Sequence, residues 1–371
     1  MLSKALVVGA YQRKAEELAR LPDMELVVMV PPGWREGKGY LLLERSHLEG
    51  YELIEEKMLF NGHFHYHLYP RLSRHLHRLR PHLVHVDEEP YNLATLHAMM
   101  LARRVGARAL FFTWQNLYRQ YPLPFRLVER ACYALSDGAI AGSEGAREVL
   151  RRKGYTKPVA VIPQFGVDPD LFSPGERETV RPRLAGQAPF TIGYLGRLVQ
   201  AKGLDTLLEA VAGLEGNWRL RLVGNGEYRP HLASRIERLG LGERVELRDG
   251  VPSEAVPAQL RQLDVLVLPS LTTPRWKEQF GRVLVEAMAC EVAVVGSDSG
   301  EIPGVIGEAG LVFPEGQAQS LRAALQRLAN DPALRRQLSQ AGRRRVLERY
   351  TQARIAEQTY EVYERTLRGE L

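Results

Sequence analysis

The stretch from residue 264 to residue 310 limits most strongly how this chain can fold. A mostly apolar run, 264–268, ends at Pro269, and a second apolar run, 292–296, leads into a glycine-rich turn. Between them, residues 282–290 carry apolar side chains at helical spacing. Strand, loop, helix and strand in this order form the unit of a parallel sheet with helical crossovers. Ligands of such sheets bind where loops leave the carboxyl ends of the strands.

Two carboxylates, Glu278 and Glu286, mark this unit. If both were helical, they would lie about 12 Å apart along the axis. Glycosidase pairs are closer, roughly 5–5.5 Å in retaining and 6.5–9.5 Å in inverting enzymes. We therefore expect Glu278 in the loop and Glu286 on the helix, each holding a different part of one elongated ligand.

The helix start between these carboxylates is expected to bind an anion. The amides near Gly281, Val283 and Leu284 lack helical partners there and point toward an incoming anion. A ligand with hydroxyls at both ends and phosphates in the middle is a sugar nucleotide. The alternative is a surface glutamate in a loop and a second glutamate paired on a helix, which is the preferred interpretation for either residue alone.

At these residues the chain resembles the retaining GT-B glycosyltransferases of family 4. The shared pattern is Glu, seven residues, Glu, with Phe-Gly after the first Glu and Glu-Ala-Met-Ala at the second. The resemblance implies that Glu278 contacts the donor sugar and Glu286 the ribose hydroxyls. It also implies donor contacts from the backbone of Phe280, Gly281, Val283 and Leu284.

A second motif of the same family follows a predicted strand at 191–195. Arg197, after Gly196, and Lys202 lie on one strand-to-helix loop, where two cations and a helix start can hold a diphosphate. They would stabilise the negative charge that grows on the leaving nucleotide. The alternative is two solvated basic residues. The resemblance adds base or ribose contacts from the loops at Gly224 and Val251.

The N-terminal half supplies the candidates for the acceptor side. Gly9 ends a predicted first strand, 5–9, and begins the turn after it, and Glu88 and Glu89 follow a strand at 82–86. A third predicted strand, 109–113, leads to Trp114, Gln115 and Asn116. The resembled family often has a histidine where Gln115 stands, and an amide cannot take a proton. Glu88 and Glu89 are the substitutes, with surface roles as the alternative.

Seven of the ten histidines lie in residues 61–85. His63, His65 and His67 would share one face of a strand, but no Asp or Cys accompanies them, so we expect no metal site. The following helix is basic, and it is either solvated or meets phosphate groups. The aromatic stretch 118–125 would suit a membrane interface or the packing of the next helix.

Composition bounds the remaining choices. A chain of 371 residues predicts two domains, and 45% hydrophobic with 25% charged residues is typical of a globular protein. No apolar run is long enough for a membrane span or a secretion signal.

Two distant cysteines, Cys132 and Cys290, favour a reducing, cytoplasmic setting. The charge of +6 suits an anionic ligand or peripheral binding to the inner face of an anionic membrane. Without a recognised motif, we expect no nucleic-acid partner.

These observations predict an α/β protein, and the resemblance implies the GT-B arrangement of two Rossmann-like domains facing across a cleft. We assign residues 1–170 to an acceptor-side domain, 171–189 to a linker and 190–347 to a nucleotide-sugar domain. The last helix, 348–371, would cross back to the first domain.

The predicted reaction moves a sugar from a UDP- or GDP-sugar to an acceptor hydroxyl with retention and without a metal or other cofactor. The acceptor would be a carbohydrate or lipid-linked intermediate of the cell envelope. The rival functions are a sugar-nucleotide epimerase or hydrolase and a non-catalytic nucleotide-sugar binder. An NAD-dependent enzyme ranks last, because the spaced glycine fingerprint is missing after the first strand.

Overall fold

The computed structural model describes residues 1–36, 39–175 and 188–370. It divides into two compact units, one made of Met1–Gly166 with Gln352–Leu371 and the other of Val167–Thr351. The predicted linker, 171–189, falls mostly outside the described residues. The chain therefore leaves the first unit once and returns to it for its last helix.

The first unit is a parallel sheet with helices. Its strands and helices are, in chain order, α1 (Gly9–Ala19), β1 (Val27–Val30), β2 (Gly33–Glu36), β3 (Gly39–Leu42), β4 (Glu52–Glu55), α2 (Leu72–Leu79), β5 (Leu83–Val86), α3 (Leu93–Arg104), β6 (Arg108–Thr113), α4 (Leu123–Leu135), β7 (Gly138–Ala141), α5 (Glu144–Arg152) and β8 (Val159–Val161). Strands β5, β6, β7 and β8 pair in that order, β1 pairs with β4, and β2 and β3 form a separate antiparallel hairpin. Leu2 bridges Met29 of β1 and Val86 of β5, which joins the two sets.

The predicted first strand, 5–9, is wrong. Ala5–Val7 forms a 3₁₀ turn, and helix α1 begins directly at Gly9. Leu2 takes the sheet position instead, while Leu6 and Val7 are buried in the turn. A short apolar run fits a buried turn as well as a buried strand, so periodicity could not separate the two.

The second unit is a six-stranded parallel sheet with the strand order β11-β10-β9-β12-β13-β14. Its strands and helices are β9 (Phe190–Leu195), α6 (Leu204–Ala212), β10 (Trp218–Val223), α7 (Arg229–Arg238), β11 (Val245–Arg248), α8 (Val256–Leu260), β12 (Val265–Leu268), α9 (Arg282–Ala289), β13 (Ala293–Ser297), α10 (Ile302–Ile306), β14 (Leu311–Phe313), α11 (Ala318–Asn330) and α12 (Pro332–Arg349). Strand order reverses between β9 and β12, and in such sheets a crevice for ligands opens at this switch point.

The last helix, α13 (Gln352–Arg368), packs against α1 in the first unit. Ile355, Ala356 and Val362 are buried in one apolar cluster with Leu18 of α1. The Tyr363 hydroxyl lies 2.6 Å from Nδ1 of the buried His85 in β5. None of the helices in the described ranges combines the length and the apolarity that crossing a membrane requires.

Candidate functional site

Three loops at the carboxyl ends of the second unit's strands are locked together by close backbone contacts. A Cβ on Gly224, after β10, would lie 1.8 Å from the carbonyl oxygen of Gly196, after β9. Gly203 has φ 66°, and a Cβ there would lie 2.0 Å from the carbonyl oxygen of Pro269, after β12. These glycines let the loops after β9, β10 and β12 meet.

An ion pair occupies this meeting point. The Lys202 ammonium donates to Oε2 of Glu278 at 2.6 Å, and the Ser270 hydroxyl donates to the same oxygen at 2.7 Å. The Lys202 and Glu278 side chains are 13% and 10% exposed. Nζ of Lys202 also lies 4.8 Å from the centre of the Trp276 ring. The structure thus brings two predicted catalytic residues into direct contact beside the strand switch point.

The turn after β13 fixes the backbone of Glu278. A Cβ on Gly300 would lie 2.0 Å from the carbonyl oxygen of Glu278, and the Glu301 amide donates to that oxygen at 3.2 Å. The Ser297 hydroxyl donates to the carbonyl oxygen of Ser270 at 2.5 Å. A fourth strand end therefore helps to orient the carboxylate.

Helix α9 starts four residues after Glu278 and has no side-chain cap. Its N-cap is Gly281, which has φ 82°. One expectation is corrected here: the Leu284 amide is not unpaired, because it donates to the carbonyl oxygen of Gly281 at 2.8 Å. The left-handed conformation of Gly281 closes this tight first turn. Val283 is half-buried, and the Phe280 ring packs edge-on against Tyr350 at 5.6 Å between centres.

Glu286 lies on α9, as predicted from the spacing. Its Oε1 accepts from Nε of Arg282 at 2.9 Å, and the side chain is only 13% exposed. Burial raises the pKa of Glu286, although Arg282 opposes the change. The ion pair with Arg282 is a helical pair one turn apart, which was the alternative considered for this residue.

Arg197 differs from Lys202. Arg197 is exposed, and its backbone carbonyl accepts a hydrogen bond from the hydroxyl of the buried Tyr194 at 2.7 Å. No ion pair of its guanidinium is found within the described ranges. Val251, the remaining predicted donor contact, is half-buried after β11, beside Gly250, whose amide donates to the Asn225 side chain at 3.2 Å.

In the first unit, Glu88 is a fully buried structural carboxylate. It accepts from Lys4 at 2.8 Å and from the Tyr69 hydroxyl at 3.1 Å, and Nε2 of His67 lies 2.5 Å away. Burial alone would raise the pKa of Glu88, but Lys4 and His67 hold it well below its usual range. The Glu88 carboxylate therefore stays ionised and paired, which suits a role in orienting its neighbours better than a role in proton transfer.

Glu89 differs from Glu88 in its burial and in the direction of its pKa shift. It is half-buried at the carboxyl end of β5 and accepts from the Thr113 hydroxyl at 2.5 Å and from the Trp114 amide at 2.8 Å. Burial raises its pKa to about 7, against the opposing effect of these two hydrogen bonds. A carboxyl group with this pKa can take or give a proton near neutral pH.

The other acceptor-side candidates are held by neighbours. Gln115 donates to the Tyr121 hydroxyl at 3.0 Å and accepts from Lys153 at 2.9 Å. The Trp114 indole donates to Gln164, and Asn116 is buried. The Gly9 amide donates to a carboxylate oxygen of Glu44 at 2.5 Å, so this helix start already faces an anionic group.

The histidine segment is a loop and not a strand at residues 63–67. His67 is buried against Glu88, whereas His63 is exposed. Within the described ranges, His, Cys, Asp and Glu side chains form no group of three that could hold a metal ion.

Sequence reasoning missed Ser270, Trp276 and Gly300. Ser270 had the clearest signal, because it stands at the end of a buried strand in the motif that organises the chain. Trp276 and Gly300 carry no signal without the fold, since their roles depend on contacts between separate loops.

Two family models match this chain, one in each half. The family model described as Glycosyltransferase Family 4 matches residues 15–171, and the model Glycosyl transferases group 1 matches residues 176–345. Together they cover both units.

Curated relatives carry related names. The alpha-maltose-1-phosphate synthase of Mycolicibacterium smegmatis is 32% identical over 257 residues, which is 64% of this chain and 65% of the relative. The MMP alpha-(1->4)-mannosyltransferase of Mycolicibacterium hassiacum is 30% identical over 74% of this chain and 65% of the relative. The chain thus spans slightly less than two thirds of these relatives' length.

Solved structures extend the likeness over the whole chain. Sucrose-phosphate synthase from Thermosynechococcus elongatus superposes with a TM-score of 0.72 at 23% identity, over 96% of this chain and 92% of that one. HepE of Anabaena, solved in complex with UDP, gives a TM-score of 0.72 at 18% identity over 98% of both chains. The predicted fold class is confirmed. The chain belongs to the GT-B glycosyltransferases of family 4.

Proposed function

We propose that the protein transfers a sugar from a nucleoside diphosphate sugar to an acceptor hydroxyl, with retention of configuration. The observation that carries the proposal is the Lys202–Glu278 pair with Ser270, at the strand switch point and beside the uncapped start of α9. It combines a cation, an acid and helix amides, which together suit the phosphates and hydroxyls of such a donor.

In this proposal the diphosphate lies against Arg197, Lys202 and the first amides of α9. When the glycosidic bond breaks, negative charge grows on the leaving phosphate, and these groups stabilise it without a metal ion. Arg197 is suited to this role because the residue is exposed and the Tyr194 hydroxyl holds its backbone carbonyl. Glu278 orients a hydroxyl of the donor sugar, and Glu286 holds the ribose.

The base of the donor is proposed to be uracil or guanine. HepE of Anabaena was solved with UDP-glucose, and one relative is named as a GDP-mannose-dependent mannosyltransferase. Glu89 is the candidate for the acceptor side, because its pKa of about 7 allows it to accept a hydroxyl proton. A carbohydrate or lipid-linked acceptor of the cell envelope is part of the proposal.

Thermal unfolding with UDP, GDP, ADP and TDP tests donor binding. A nucleotide at 100 times its dissociation constant adds about 2.7 kcal/mol of stability. For a unit of this size, that raises Tm by roughly 5–10 °C. No shift with any of the four nucleotides would refute nucleotide binding.

Turnover of the Arg197→Ala variant tests the chemistry. We expect a loss of about 10²-fold or more with the nucleotide sugar that binds best. Arg219→Ala is the matched control, because Arg219 is exposed at the amino end of β10, the opposite edge of the sheet. Wild-type turnover in Arg197→Ala would contradict the assignment. Turnover without any acceptor would indicate a hydrolase or epimerase, and binding without turnover would indicate a non-catalytic binder.

A further inference from the structure

Large apolar side chains of the first unit are exposed in two neighbouring segments. In the hairpin of β2 and β3, Tyr40 is 49% and Leu42 is 70% exposed. In the loop that precedes α2, Phe60 is 61%, Phe64 is 52% and Tyr66 is 50% exposed. Exposed apolar residues that cluster in this way mark an interaction surface.

Hydrogen bonds and ring contacts hold the two segments together. The Asn61 side chain accepts from the Arg35 amide at 2.9 Å and donates to the Gly33 carbonyl at 2.7 Å. The Phe64 ring meets the Trp34 ring edge-on at 5.2 Å between centres. The segments therefore form one surface.

Helix α4 adjoins this surface. The Tyr66 ring contacts Phe125 of α4 at 5.4 Å between centres. Leu123 and Leu127, one turn apart on α4, are 59% and 55% exposed. We call the side chains of the hairpin, the loop and α4 the docking surface; its members are Tyr40, Leu41, Leu42, Phe60, Phe64, Tyr66, Leu123 and Leu127.

The charges around the docking surface are mostly positive. Arg35, Lys57 and Arg130 are exposed on or beside its three segments, and Arg126 is half-buried on α4. Exposed carboxylates nearby include Glu55, which is paired with Arg45. Aromatic rings, aliphatic side chains and arginines together suit the interface of an anionic bilayer, where rings enter the headgroup layer and guanidinium groups meet phosphates.

The docking surface reaches the acceptor-side residues. Nζ of Lys4 lies 5.4 Å from the centre of the Trp34 ring and 5.5 Å from that of Phe64, and the same ammonium donates to Glu88. Glu88 and Glu89 follow β5 at its carboxyl end. An acceptor held in the bilayer would therefore meet the protein beside Glu89.

We propose that the docking surface binds the headgroup layer of an anionic membrane and that the protein takes its acceptor from that membrane. The second part rests on the proposed glycosyl transfer, whereas membrane binding does not. Because its side chains are exposed, the docking surface can attach to the headgroup layer without a spanning segment.

Vesicle sedimentation tests the docking surface. The full chain is mixed with vesicles of phosphatidylcholine alone or with one quarter phosphatidylglycerol, without nucleotide or acceptor. We expect binding to the anionic vesicles, weakened by 0.5 M salt. The double variant Leu42→Ser/Phe60→Asn should partition at least about tenfold more weakly, since two large apolar groups no longer enter the interface. Asn suits position 60 because Phe60 has φ 55°.

The matched control is Val312→Ser/Leu347→Ser in the second unit, where both residues are 42% exposed. This control should bind vesicles like the wild type. Equal binding by both double variants, or no binding by the wild type, would overturn the proposal. A concentration-dependent dimer that the Leu42→Ser/Phe60→Asn change dissolves, without vesicle binding, would assign the surface to a second copy instead. A nucleotide-induced rise in Tm that persists in all variants would show that donor binding is separate from membrane binding.

Discussion

Replacing Lys202 with Met should destabilise the second unit, because it leaves Glu278 with one partner fewer in a mostly buried place. Breaking a fully buried ion pair costs about 3–5 kcal/mol. Here both side chains keep slight exposure and Ser270 still donates to the carboxylate, so we expect about 2 kcal/mol. For a unit of this size, that lowers Tm by roughly 4–8 °C.

The double variant Lys202→Met/Glu278→Gln should recover most of this loss. Neither side chain is then charged, and the new amide oxygen still accepts from Ser270, so the coupling energy of the two sites should be about 1–2 kcal/mol. Glycosyl transfer should not recover. Turnover of the double variant should stay about 10²-fold or more below the wild type, because the charges are needed for the diphosphate and the sugar.

Urea unfolding of the wild type, both single variants and the double variant measures the cycle, and a transfer assay runs on the same preparations. If the stability losses of the two single variants simply add up in the double variant, the contact between Lys202 and Glu278 does not stabilise the unit. Recovered turnover in the double variant would remove both residues from the catalytic site.

Three further predictions follow from the geometry. Gly203→Ala should lower the free energy of unfolding in urea by more than about 2 kcal/mol, because the new Cβ would clash with a carbonyl oxygen. Gly216 also has a positive φ, 91°, but open space around it, so Gly216→Ala should cost only about 1 kcal/mol. Equal costs would contradict the close contact at Gly203. The pKa of Glu89 is raised to about 7 in the folded state, so the stabilisation by its protonated carboxyl is full below pH 4.5 and is lost as pH rises to about 7. The rate of transfer should rise over the upper part of that pH range, because the ionised carboxylate can then accept a proton. Glu89→Gln should flatten the pH profiles of stability and rate, and an unchanged rate profile would remove Glu89 from proton transfer. Tyr363→Phe should cost about 1–3 kcal/mol of stability, because the buried His85 loses its hydrogen-bond partner; an unchanged Tm would contradict this.

Buried parallel strands are the part of the fold that can be predicted best from this sequence. Strands β9, β12 and β13 are buried at every residue, so each is mostly apolar along its length, and the predicted ends agree with the structure within a residue or two. The hairpin strand β3 was missed for the opposite reason. All four of its residues are exposed, so no alternation of polar and apolar residues reveals it.

The candidate site could be predicted only as a set of residue types. The spacing of Glu278 and Glu286 places one in a loop and one on a helix, and the structure agrees. The contact between Glu278 and Lys202 joins residues 76 positions apart and depends on glycines that let three loops meet. Sequence spacing carries no information on such contacts, and the roles of these residues in donor binding stay predictions.

The discontinuous first unit has a consequence for synthesis on the ribosome. Residues 1–166 emerge before residues 352–368, but the apolar cluster around Leu18 of α1 also contains Ile355, Ala356 and Val362 of α13. The second unit, Val167–Thr351, can complete its sheet before that helix exists. Part of the core of the nascent N-terminal segment therefore stays open to solvent until α13 is made, and transiently exposed apolar surface of this kind is prone to aggregation.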